Sequence, residues 1–507
     1  MIRSLMNNKR KIMRQVFSVN VLVLLFLCSS GQQLVLRGDY PDPSVVKIGD
    51  TYWASATTSN WMPAYPILKS KDLVNWTTVS HVFMKLPDWA DYYFWAPEIS
   101  YDNGKVYMYY SAHKKGGNLC IATAVADKPE GPYTDLGPLI CQEVGSIDAF
   151  PMRDEKGKLY MIWKEDGNSV NKPTPIWAQE MSEDRTKLLG ERKELFRNNV
   201  GWEMNLVEGV SMVKQGGYYY AFYAAAGCCG ATCTYGVGIA RSKNLLGPWE
   251  KYQKNPVLTH TDKWTCPGHG TPVEKDGKHY FMYHAYDKQS NIFTGREGLL
   301  IEYKFTSDGW IEFVQEPSFQ TAVPVENSSD NFRGRKVANN WQWSVFQRPA
   351  HKVRRGEVHL SALPAASGAF LGHKTVTANY TATVKLHLKK STASPGLAII
   401  GDENNIITAL YNNGMIKLVQ IREGKETVLA TKPVEQKKKI YVQARVVNGK
   451  QISFYYGDDK DQLALLNEKP VNGGYLPPWD RALRVGLVAR GEKSTNAVFD
   501  NFELINN

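Results

Sequence analysis

Helical periodicity is nearly missing from this 507-residue sequence. Apolar residues rarely recur at three- and four-residue spacing, which excludes helical bundles, helix-pair solenoids and (β/α) barrels. No segment beyond residue 30 is apolar enough to cross a membrane. Cysteine is sparse, seven residues in all, and none stands in a C-x-x-C pair that would favour zinc. A strong charge excess is also lacking. The formal charge is +11, but five basic residues and no acids fall in the first 30, leaving about +6 on the rest. That balance gives no reason to expect a nucleic-acid partner.

Those first residues have a character of their own. Lys9, Arg10, Lys11 and Arg14 precede an apolar run from Val16 to Leu27, and Cys28, Ser29 and Ser30 follow. The run is short for a membrane span and suits a signal segment, so residues 1–30 are expected to direct export and be cleaved. Cys28, directly after Leu-Phe-Leu, is the alternative, a lipid-attachment cysteine. Either way the expected location is the periplasm or surface of a bacterium. Six cysteines then remain: Cys120, Cys141, Cys228, Cys229, Cys233 and Cys266. An oxidising compartment permits disulfides among them, with buried thiols as the alternative. A bridge between the adjacent Cys228 and Cys229 is not expected.

What is present is repetition. A glycine followed three residues later by tyrosine recurs at Gly49/Tyr52, Gly104/Tyr107, Gly157/Tyr160, Gly217/Tyr220 and Gly277/Tyr280, with the glycines 55, 53, 60 and 60 residues apart. Each copy lies between two strand-like runs, the signature of a β-hairpin. Five units of this length, each able to hold about four strands, predict a five-bladed β-propeller over residues 31–325.

In a propeller the first strand of each blade lines the central channel. The residues six to nine positions before each turn glycine include Asp42, Glu98, Asp148, Glu208 and His269. Taken singly, an Asp before proline is usually a turn residue and a Glu at a strand edge is usually solvated. Together, converging carboxylates repel one another and lose hydration, so their joint presence reads as a site. Glycoside hydrolysis fits: one carboxylate serves as base or nucleophile, one protonated carboxyl as acid. A third carboxylate beside the acid is expected to raise its pKa and keep it protonated. Trp and Tyr, 14 and 27 in number, supply surfaces for sugar rings, although packing accounts for most of them.

These segments resemble glycoside hydrolase family 43, inverting enzymes on five-bladed propellers, and the similarity covers the whole repeat region. It implies that Asp42, in Pro-Asp-Pro-Ser-Val, is the general base. It likewise implies that Asp148, in Ser-Ile-Asp-Ala-Phe-Pro, tunes and orients the acid, and that Glu208, in Val-Glu-Gly-Val, is that acid. Trp95-Ala-Pro-Glu98 resembles the family segment bordering the sugar subsite. Arg296 resembles a substrate-contacting arginine, and Trp61 lies in an aromatic segment that closes the pocket in exo-acting members. His269 matches a histidine that in some relatives ligates calcium or another ion in the channel; the chemistry itself requires no cofactor. Where the family often has Gly-Pro after the acid, this sequence has Gly209-Val210.

After about Val323 the repeat stops. Asn327-Ser-Ser-Asp-Asn reads as a linker, and alternating runs such as Tyr380–Leu388 and Arg484–Arg490 predict an antiparallel β-sandwich over residues 326–507. Its ending resembles lectin-like (concanavalin-like) jelly rolls attached to this family, with sugar binding or bracing of the active-site rim as its role. Trp341 and Trp343 are expected in packing. The fold class is thus all-β. The expected substrate is a plant-type oligosaccharide or polysaccharide losing terminal α-L-arabinofuranosyl or β-D-xylosyl units. An exo-β-galactosidase or galactanase, an endo-arabinanase and a non-catalytic sugar-binding propeller are the competing readings.

Overall fold

A computed structural model describes residues 31–315, 323–435 and 437–507. The expected signal segment and Cys28 lie outside the described residues. Five antiparallel sheets make the first domain. Their innermost strands are Ser44–Ile48, Trp95–Asp102, Ser146–Arg153, Val207–Gln215 and Trp264–Lys275. Each touches the next, and the fifth touches the first, so the ring is closed. Backbone hydrogen bonding also closes the ring: the N-terminal strand Gln33–Leu36 pairs with Glu297–Phe305 and becomes an outer strand of the last blade. The five repeat glycines all sit at positive φ, between +61° and +83°, in the turns joining the first two strands of each blade. Glycine adopts that conformation without steric cost, which is why the hairpins are so evenly marked.

The inner strands share a second feature. Pairing with the next strand is interrupted where the strand enters the channel: between Trp95 and Glu98, Ile147 and Phe150, Glu208 and Ser211, and Gly268 and Gly270. The residues released there, Ala96, Asp148, Gly209 and His269, have positive φ, as does Asp42 just ahead of the first blade's strand. Such bulges re-aim a side chain, and strained backbone of this kind gathers at functional sites.

Two further sheets, of nine and six strands, form the sandwich. Val384, Val442, Phe454 and Phe502 of one face Leu397, Ile399 and Leu487 of the other in a core that runs on into blades 1 and 2. The expected linker is instead structural. Ser328–Asp330 pairs with the C-terminal strand, Ser328 opposite Leu504, so those polar residues already belong to the sandwich. Trp341 and Trp343 are buried.

The two domains are joined by backbone and side chains. Trp343–Ser344 pairs with Trp61–Met62 of the propeller. Asp39 Oδ2 accepts from Arg484 Nη2 at 3.0 Å, both groups being buried. All six cysteines of the described residues are paired, Cys120–Cys141, Cys228–Cys229 and Cys233–Cys266. The adjacent bridge therefore forms, contrary to expectation.

Candidate active site

A cavity of about 390 Å³ opens at the axis and is lined by Asp42, Asp148 and Glu208 together with Trp95, Lys164, Tyr235, His269 and Arg296. Two larger hollows lie elsewhere, at the sandwich edge and between the domains, each with a single acidic residue in its wall, Glu468 and Glu326. Neither offers the paired carboxylates that glycoside hydrolysis needs, so the smaller cavity is the candidate site.

Asp42 is held as an anion. Its Oδ1 accepts from Arg296 Nη1 at 2.9 Å and its Oδ2 from the Thr57 hydroxyl at 2.7 Å. Its backbone N–H donates to His284 Nδ1 at 3.0 Å, and burial keeps that imidazole neutral by pushing its pKa down to about 4. Burial alone would raise the Asp42 pKa. The Arg296 guanidinium overrides it and holds the carboxyl well below the usual carboxylate range. A residue that stays ionised at every working pH suits the base.

Asp148 and Glu208 divide unequally. Burial pushes Asp148 up to about 6; the His269 ring, 3.9 Å from its Oδ2, opposes this, and the Glu208 charge adds to it. Its Oδ2 also accepts the Gly209 N–H at 2.8 Å. Glu208 has a donor on each oxygen, Lys164 Nζ on Oε2 at 2.5 Å and the Tyr235 hydroxyl on Oε1 at 2.6 Å. Burial would raise it too, yet Lys164 brings it below its ordinary value. The expectation that like-charge repulsion would lift the acid is therefore corrected: the upward shift falls on Asp148, because the ammonium lies against Glu208. Gly209 is required at its place. Its φ is +60°, and a Cβ there would meet the His269 ring at 2.7 Å.

The remaining expected residues separate. Trp95 lines the cavity, stacked on Tyr93 with centroids 4.3 Å apart. Arg296 sits beside Asp42. His269 lies 3.7 Å from Asp42 Oδ1. Among the described residues no group of three or more His, Cys, Asp or Glu is arranged so that it could hold a metal ion. Glu98 is not in the cavity wall. It is the first paired residue after the bulge, the counterpart of Ser44, Phe150 and Ser211, and so points deeper into the channel, where it accepts from Thr271 Oγ1 at 3.1 Å. Burial raises its pKa to about 8. Trp61 is not in the wall either. Its ring is 2% exposed and packs on Phe370 with Arg484 over it, because the segment is a strand shared with the sandwich.

The cavity contains residues that the sequence reading missed. Lys164 ends the run Leu-Tyr-Met-Ile-Trp-Lys, and a lysine closing so apolar a strand is a signal that could have been noticed. Tyr235 follows the bridged cysteines in an irregular segment without periodicity. Trp479 and Asp480 come from the sandwich. Asp480 accepts from Arg296 Nη2 through its backbone oxygen at 3.1 Å, and the Trp479 ring, 53% exposed, meets Trp95 edge-on at 5.7 Å.

A propeller whose axial cavity gathers three carboxylates in unlike environments has the architecture of the carboxylate glycosidases. The pattern of glycosyl hydrolases family 43 matches residues 32–311, and that of the beta-xylosidase C-terminal concanavalin A-like domain matches residues 329–504. The chain belongs to glycosyl hydrolase family 43. It is 31% identical over 276 residues to a xylan 1,3-beta-xylosidase of a Vibrio species, covering 50% of this chain and 49% of that protein. A xylosidase/arabinosidase of Butyrivibrio fibrisolvens is 29% identical over 294 residues, 54% of this chain and 55% of that one. The chain thus spans about half the length of these curated relatives. Among solved structures, the GH43 protein BlXynB of Bacillus licheniformis superposes with a TM-score of 0.79 at 25% identity, covering 94% of this chain and 100% of that one.

Proposed function

We propose that the protein is an exported, exo-acting glycosidase that removes terminal pentosyl units from plant-type oligosaccharides with inversion of configuration. Asp42 takes a proton from the water that attacks the anomeric carbon. Glu208 gives a proton to the departing oxygen on the opposite face, and Asp148 orients the acid and shares its titration. The observation that carries this reading is the unlike setting of the carboxylates lining one cavity: Asp42 is kept ionised by Arg296, whereas Asp148, raised to about 6, holds beside Glu208 a proton that the pair can share. Groups pushed apart in pKa take the base and acid roles. Trp479 and Asp480 wall one side of the cavity, which favours a terminal sugar over a chain passing through. The names of two similar proteins, a xylan 1,3-beta-xylosidase and a xylosidase/arabinosidase, favour a xylosyl unit ahead of an arabinosyl one. Three disulfides favour the oxidising compartment that an export signal would reach.

Hydrolysis of 4-nitrophenyl β-D-xyloside and α-L-arabinofuranoside, measured beside Glu208→Gln, tests the reading. Release of nitrophenol from one of them, lost or strongly reduced in the variant, is expected. Absence of cleavage of these and of xylan and arabinan oligosaccharides would contradict it.

A further inference from the structure

Lys164 has no role in the reaction as written, yet it is 1% exposed at the wall of the cavity, with a carboxylate on either side. It rises from the second strand of blade 3, Leu159–Glu165, and its Nζ stands 2.5 Å from Glu208 Oε2 and 2.9 Å from Asp166 Oδ1. Burying an ammonium with two carboxylates is costly, and a well-packed apolar residue would serve folding as well or better. The arrangement is therefore more than a packing solution.

The chemistry of the donors narrows what it does. An ammonium has three N–H donors and no acceptor, whereas a tyrosine hydroxyl both donates and accepts. The Lys164 contact at Oε2 therefore cannot receive a proton from Glu208. The Tyr235 hydroxyl, 2.6 Å from Oε1, can turn from donor to acceptor. We propose that Lys164 is the positioning residue that makes Glu208 a strong acid: it claims Oε2, leaves Oε1 to carry the proton, and steadies the carboxylate formed when that proton departs. This rests on the reading of Glu208 as the general acid.

In the step itself the bond from the anomeric carbon to the leaving oxygen breaks, and its electron pair goes to that oxygen. The Oε1–H bond of Glu208 breaks as the O–H bond of the departing alcohol forms. Water supplies the new bond to carbon and gives its proton to Asp42. The negative charge left on Glu208 falls against Lys164, and Tyr235 returns to donating. A stronger acid matters most when the leaving group is a sugar alcohol, a poor leaving group, and least for an activated phenol. The charged and titratable groups facing Glu208 are Lys164 and, through it, Asp166 from blade 3, Asp148 from the strand beside it, Tyr235, and His269 from blade 5.

Two variants should move the pH profile in opposite directions. Lys164→Met removes the cation from Glu208, so the alkaline limb of kcat/KM moves up by about one to three pH units. Its loss on xylobiose should exceed its loss on 2,4-dinitrophenyl xyloside by about tenfold or more. Asp166→Asn removes the competing anion and leaves Lys164 to Glu208, so the same limb moves down. Opposite signs cannot arise from general damage, and Asp166→Asn carries the test if Lys164→Met does not fold. Unmoved limbs, limbs moving together, or equal losses on both substrates, with Glu208→Gln inactive, would overturn the Lys164 inference alone. A Glu208→Gln variant as active as the wild type would overturn the acid assignment and the inference with it.

Discussion

The guanidinium of Arg296 joins Asp42 to Asp480: Nη1 donates to the Asp42 carboxylate at 2.9 Å, and Nη2 donates to the backbone oxygen of Asp480, a sandwich residue 184 positions after the arginine, at 3.1 Å. One buried cation thus fixes the Asp42 carboxylate and ties the cavity to the second domain.

Removing that cation should free the base from its low pKa. In wild type Asp42 is ionised across the working range, so the acidic limb of kcat/KM lies below the ordinary carboxylate range, and activity falls on the alkaline side as the Asp148–Glu208 pair loses its proton. In Arg296→Met the largest opposition to burial is gone and only the smaller contributions of His284 and His269 remain, so the Asp42 pKa rises and the acidic limb moves toward neutrality. A pH–rate profile of the two proteins checks this; an unmoved acidic limb would contradict it.

Trp479 is exposed and stands edge-on to Trp95, so it contributes to sugar contact more than to folding. Trp479→Ala should lower kcat/KM by about two- to thirteenfold, the equivalent of an aromatic contact worth about 0.5–1.5 kcal/mol. Its thermal midpoint should stay close to that of wild type. A large fall in the midpoint without a kinetic effect would assign the ring to packing.

Trp61 should behave in the opposite way. Its burial against Phe370 and beneath Arg484 predicts that Trp61→Ala costs about 3–5 kcal/mol of stability in denaturant titration. The folded fraction should keep kcat/KM within a few-fold. Breaking the buried Asp39–Arg484 pair with Arg484→Met should cost a similar amount, about 3–5 kcal/mol, because Asp39 is left buried without its cation.

Glu98 links pH to stability. Its pKa is about 8 in the folded protein against an ordinary 4.5, so the folded state holds a proton that the unfolded state releases between those values. Stability therefore falls as pH rises through that window. Glu98→Gln keeps the neutral shape and removes the effect: the variant should gain on wild type in thermal melts as pH rises from about 5 to about 8.5. A constant difference across that range would contradict the burial reading.

The propeller was legible because each blade repeats one hairpin whose turn needs glycine, as at Gly104 and Gly277. Asp42, Asp148 and Glu208 were legible because three blades carry an acid at the channel mouth. Glu98 was misjudged because counting back from the turn glycine ignores the bulge, which settles whether a residue faces the cavity or the channel below it. Trp61 looked like a pocket residue because aromatic content does not reveal a strand shared with a distant domain. Trp479 and Asp480 were beyond reach for the same reason: only the folded interface brings residues so far along the chain to Arg296. The direction of the Glu208 shift follows from Lys164, whose only mark in the sequence is its place at the end of the apolar run Leu159 to Trp163.

The central claim is a single displacement with Asp42 as base and Glu208 as acid. Proton NMR of the anomeric signals during the first turnovers of a β-D-xyloside tests it most directly. Inversion makes α-xylose appear first, with the β anomer growing in later by mutarotation. Initial release of β-xylose would mean retention and would contradict it.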